Sequence, residues 1–152
     1  MSKYYDSNKL KQDYGYTCTP IKAMIYTNIM HEGRVLYNSR YKGYEFYVVS
    51  YGTHPCCYIL VDKDNPYFRK DYNDINIDVH GGVTFSSFNH TCINNPDHKW
   101  IIGWDYAHYG DRLGCAGKIY TRYGINHTYK TKELIRDCIK AIDNMIEICE
   151  VK

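Results

Sequence analysis

Residues 44–61, YEFYVVSYGTHPCCYILV, decide what fold this chain can adopt. Two β-branched and aromatic runs, Tyr44 to Tyr51 and Cys56 to Val61, stand on either side of a Gly52-Thr53-His54-Pro55 turn. Such residues suit a pleated, half-buried surface, and glycine with proline marks the place where the chain reverses. Side chains alternate along a strand, so Tyr44, Phe46, Val48 and Ser50 share one face, and Glu45, Tyr47, Val49 and Tyr51 share the other. Both faces are largely apolar. The first run is therefore expected to be a central strand, covered on both sides.

Working outward, Arg34 to Tyr37 reads as a short strand ahead of Gly43, and the three runs together form successive antiparallel strands. The charged, Asp-, Asn- and Pro-rich residues 62–76 read as a surface loop. Ile75 to Val79 alternate cleanly and predict a further strand, followed by a glycine pair and the run Val83-Thr84-Phe85. A polar stretch, 89–99, leads into Trp100-Ile101-Ile102-Gly103-Trp104, another strand. After Thr131 the apolar residues Ile135, Cys138, Ile139, Ile142, Met145, Ile146 and Cys149 fall at three-four spacing, which predicts an amphipathic helix. Thr131 is the expected N-cap, and Glu133 suits the positive end of the helix dipole. The sum is a single α+β domain over residues 34–152, a mainly antiparallel sheet packed by the C-terminal helix. Residues 1–33 read as an irregular or partly helical lead-in.

Composition narrows the function classes. The chain has 152 residues, 19 Lys and Arg against 17 Asp and Glu, and a net charge of +2. A chain of this length buries roughly two thirds of its unfolded surface, which is enough for a real core. The near-balanced charge lacks the clustered basic face of a duplex binder, so long nucleic acid is not the expected partner. The 18 tyrosines accompany abundant Ile, Asn and Lys and few alanines, a pattern of AT-rich coding that accounts for much of the tyrosine excess. No apolar run in the first thirty residues is long enough for a signal-peptide core or a membrane span. The seven cysteines are odd in number, include the adjacent Cys56 and Cys57, and form no CxxC pair. These features suit a reduced cytoplasm, with most thiols acting as small apolar side chains.

Two segments concentrate reactive groups at strand ends, where sites usually form: Asp78-Val79-His80-Gly81-Gly82-Val83-Thr84-Phe85-Ser86, and Gly103-Trp104-Asp105-Tyr106-Ala107-His108-Tyr109-Gly110-Asp111. Gly81 and Gly82 permit positive φ and an outward-facing anion nest. Asp105, His108 and Asp111 recur every three residues, an arrangement that a short turn would align. With His80 they could ligate a divalent ion such as Mn²⁺, Fe²⁺ or Zn²⁺. Equally, Asp105 could orient His108 as a general base with no metal. Trp104, Tyr106 and Phe85 offer flat rings to stack a base, with Thr84 and His54 as further binding groups. His54 two residues from Cys56 raises covalent thiol chemistry as a less favoured route.

These same motifs carry a resemblance. Tyr44 to Cys56, Asp78 to Phe85 and Ile102 to Asp111, with the terminal helix, are similar to a group of small phage and prophage proteins from low-GC Gram-positive bacteria, a group whose activity is unassigned. The likeness spans residue 34 to the end. It implies a viral accessory protein in the host cytoplasm, of the kind that counters defence systems signalling through cyclic oligonucleotides or cyclic ADP-ribose derivatives. The expected ligand is a small anionic nucleotide, hydrolysed through His80, Asp105, His108 and Asp111. The alternatives are a non-enzymatic sponge, in homo-oligomeric form, that sequesters such a nucleotide signal, and a protein-protein inhibitor of a host defence enzyme.

Overall fold

The computed structural model describes residues 33–51, 54–107 and 129–150. Five strands, β1 (Arg34–Tyr41), β2 (Tyr44–Ser50), β3 (Pro55–Val61), β4 (Phe85–Ser87) and β5 (Trp100–Asp105), form one sheet in the order β1-β2-β3-β5-β4. All neighbours run antiparallel. One helix, α1 (Thr131–Glu150), packs on a single face of the sheet. The architecture is α+β, as the hydrophobic patterning implies.

Strand alternation sorts the core into two halves. Towards α1 point Leu36, Phe46, Val48, Cys57, Ile59, Ile102 and Trp104; away from it point Tyr47, Val49, Cys56, Tyr58, Leu60 and Ile101. β2 and β3 are therefore buried on both faces, and β3, rather than β2, is the middle strand. Gly103 pairs with Tyr58, and a Cβ there would lie 2.5 Å from the Tyr58 ring and 3.2 Å from the Cys57 carbonyl oxygen. The glycine makes room for that ring.

The helix differs from its predicted form in two details. Its buried face includes Leu134 and Ala141 beside Cys138, Ile142 and Met145, so the stripe is rotated towards residues that the three-four spacing from Ile135 leaves out. Its N-cap is Lys130, not Thr131. The Glu133 carboxylate accepts the Lys130 N–H at 2.8 Å, the glutamate half of a capping box, while the Lys130 carbonyl accepts the first helical N–H groups, from Glu133 and Leu134. Thr131 is fully buried instead. Burial of Leu134, Ile142 and Met145, at about 1.5–3 kcal/mol each, holds a helix that would be marginal alone in water.

The predicted strand at Ile75 to Val79 is not one. Ile75 and Ile77 are anchors in the helix-side core, and the Asp78 N–H donates to the Asn144 side chain of α1 at 3.0 Å. The alternation is thus used to bury two isoleucines under α1, while the backbone bonds to the helix rather than to a ladder. This path delivers the next residue, His80, to the helix side of the sheet. Among the described residues no helix is long and apolar enough to cross a membrane.

Candidate functional site

The His-Gly-Gly segment folds as a tight turn closed by the Gly82 N–H on the Val79 carbonyl at 3.0 Å, with Gly81 at φ +71°. Positive φ at the third position of such a turn is the geometry that selects glycine. The turn presents a half-buried His80 ring, stacked flat on Tyr106 with centroids 4.7 Å apart and planes 9° apart. Tyr129 meets both rings, at 5.4 Å from His80 and 4.7 Å from Tyr106.

Beneath His80 lies a hydrogen-bonded support. The Tyr106 hydroxyl accepts from Trp104 Nε1–H at 3.0 Å and donates to the Asp137 carboxylate of α1 at 2.7 Å. The Cys57 thiol approaches the same hydroxyl at 4.0 Å and the Leu134 carbonyl at 3.9 Å. Burial, then the nearby Cys57 and Asp137, pushes the Tyr106 phenol far above its usual range, so it stays protonated and remains a donor. The imidazole thus sits on a rigid platform that joins β5 to α1.

Asp105 belongs to the other face. It pairs with Cys56 across β3 and β5, and its two carboxylate oxygens accept from Thr84 Oγ1–H and the Ala107 N–H, both at 3.1 Å. On this side, the Tyr51 and Tyr58 hydroxyls share a 2.9 Å bond, and Tyr51 stands 2.6 Å from His90 Nε2. Phe85 packs edge-on against Tyr58 and His90, and the His54 ring lies 5.7 Å from Tyr51. Burial pushes Tyr51 up to about 12. Burial likewise pushes the Cys56 thiol far above its usual range, which removes the thiolate that a nucleophile needs and disfavours covalent chemistry there.

The two predicted segments therefore meet at one end of the sheet, through the Thr84–Asp105 bond and the His80–Tyr106 stack, but on opposite faces. His80, Trp104 and Tyr106 are on the helix side; His54, Phe85 and Asp105 are on the other. His108 and Asp111 lie outside the described residues. The expected stacking platform needs correction: Trp104 is 1% exposed and Tyr106 is fully buried, so neither offers a free face to a base. The glycine nest is curtailed as well, because the Gly82 amide is committed to the turn. Among the described residues no group of three or more His, Cys, Asp or Glu side chains is placed to hold a metal ion. His80 and Asp105 alone do not make a divalent site.

The sequence pattern does not single out Asp137 or Tyr129, and it marks His90 only faintly. Asp137 borders the buried stripe of a helix and looks like any solvated residue, and His90 opens a polar stretch. His90-Thr91-Cys92 echoes His54-Pro55-Cys56, and both cysteines influence Tyr51. At the far end of the sheet, a cleft of about 320 Å³ is lined by Lys42, Lys99, Asp62 and Asp64 among others. Its walls carry both signs of charge, which does not select an anion.

No protein-family model, no curated protein and no solved structure matches this chain.

Proposed function

We propose that the protein is a phage accessory protein that acts on a small anionic nucleotide, hydrolysing a phosphodiester or glycosidic bond, with His80 as its acid-base group. The observation that carries this reading is the half-buried imidazole stacked at 4.7 Å on Tyr106, whose hydroxyl is fixed between Trp104 and Asp137. A histidine held in one orientation is suited to proton transfer, because the cost of positioning is met before the substrate arrives. In the phosphodiester case the imidazole takes a proton from water, the water oxygen bonds to phosphorus as the bond from phosphorus to the leaving oxygen breaks, and the imidazolium returns the proton to that oxygen. Tyr129, half-buried and 5.4 Å from His80, is a ring beside the imidazole with surface left for a base.

The geometry of Asp105 favours a second reading, sequestration without turnover. Its carboxylate shapes the end of β5 through Thr84 and Ala107 rather than standing ready beside His80. One experiment separates the two. The full chain is incubated with cyclic dinucleotides and cyclic ADP-ribose isomers, then denatured, and the nucleotides are analysed by mass spectrometry. Hydrolysed product with the wild type and intact nucleotide with His80→Ala supports the hydrolase. A bound nucleotide recovered intact from the wild type supports sequestration, and turnover unchanged in His80→Ala removes His80 from the chemistry.

A further inference from the structure

On the sheet face away from α1, His90 is engaged at both ring nitrogens. The Cys92 N–H donates to Nδ1 at 3.0 Å, and Nε2 stands 2.6 Å from the Tyr51 hydroxyl. A backbone N–H can only donate, so Nδ1 is unprotonated and the network assigns the ring proton to Nε2. The same residue begins a loop whose Ile93 N–H bonds to the His90 carbonyl at 3.1 Å. Ile93 is buried on this face with Tyr47, Val49, Leu60 and Ile101. Asn95 ties the base of the loop through the Phe88 and Lys99 carbonyls and the Lys99 N–H.

We propose that His90 is an acid-sensitive latch: neutral, it pins the 89–99 loop over the apolar face of the sheet, and protonated it releases the Cys92 end of that loop. A proton on Nδ1 would set two donors, the ring N–H and the Cys92 N–H, against each other, and the bond between them is lost. The groups that face the imidazole are Tyr51 ahead of β3, Tyr58 on β3, Phe85 on β4 and Cys92 on its own loop. Among the described residues no carboxylate or ammonium faces it to stabilise the imidazolium. Burial holds His90 below the usual histidine range. The opened loop, with an ordinary histidine near about 6.5, then binds more protons than the closed one, so the latch weakens as pH falls through that value and loses no more once the closed form is itself protonated.

Amide hydrogen exchange on the full chain tests the latch. Between pH 7.5 and 5.5 the protection of the Cys92 amide, corrected for intrinsic exchange, is expected to fall severalfold, up to about tenfold, as an open-state histidine of ordinary acidity dictates. His90→Asn is expected to keep Cys92 protected, because an asparagine carbonyl accepts the same bond two residues on, and to abolish the pH dependence. His98→Gln, a change of the loop's other histidine, is expected to leave that dependence in place. A wild-type change below twofold, a His90→Asn protein that keeps the wild-type pH dependence, or a His98→Gln protein that loses it overturns the proposal.

Discussion

Replacing Tyr106 with phenylalanine removes one oxygen and almost nothing else. The ring that supports His80 at 4.7 Å stays, and so does its fully buried volume. What goes is the hydroxyl that accepts from Trp104 Nε1–H and donates to Asp137. Trp104 is 1% exposed, so its N–H is left without a partner in a dry site, at a cost of about 1–3 kcal/mol. The bond to the Asp137 carboxylate is charge-assisted, and its loss adds about 1.5–3 kcal/mol, reduced because Asp137 is only partly buried and regains water. The sum is roughly 2–4 kcal/mol, or roughly 5–15 °C in Tm for a chain of this size. Urea denaturation of Tyr106→Phe, Asp137→Ala and the double variant measures it directly. A coupling energy above about 1 kcal/mol between the two positions is expected, since they touch through a single short bond. A loss below about 0.5 kcal/mol in Tyr106→Phe, or full additivity in the double variant, would refute the idea that this bond braces the platform.

Two further outcomes follow from the buried tyrosines. Gly103→Ala places a Cβ 2.5 Å from the Tyr58 ring and 3.2 Å from the Cys57 carbonyl, so the ring must shift; about 1–3 kcal/mol of stability is expected to be lost, read by denaturant unfolding. Buried tyrosines also make the protein sensitive to base: Tyr51 is held near about 12, with Tyr58 and Tyr106 raised further, whereas the unfolded chain ionises near about 10. Between those values the unfolded state has lost protons that the folded state keeps, so stability is expected to fall steadily above pH 10; a flat stability profile from pH 10 to 11.5 contradicts the burial argument.

The sheet is legible in the sequence because its strands are dense and bounded by glycine and proline. Ile75 to Val79 misleads for a physical reason: alternation reports which side chains are buried, not whether the backbone has a strand partner, and here the partner is the Asn144 side chain. The helix stripe is displaced because Leu134 and Ala141, at the margin of the three-four pattern, turn out to face the sheet. At the site, the glycine turn and the end of β5 are recognisable as neighbours, since both lie at strand ends. Their separation onto two faces follows from the alternation of Trp104, Asp105 and Tyr106, a rule that applies to this stretch as much as to β2. Asp137 could not be singled out, because a hydrogen bond across the fold leaves no periodic trace in the chain, and the mark that His90 leaves is the echo of His54-Pro55-Cys56 in His90-Thr91-Cys92.

The strand order has a consequence for how the molecule assembles. β1, β2 and β3 are only a few residues apart in the chain and pair with their sequence neighbours, so this meander closes with little loss of chain entropy. β5 reaches β3 only when the whole stretch between Val61 and Trp100 has been closed into a loop, and contacts of that kind are slow to be made. The turn bearing His80 and the 89–99 loop both lie inside that stretch. The residues on which the proposed chemistry and the proposed latch depend are thus positioned by a long-range pairing of the sheet, not by the local meander.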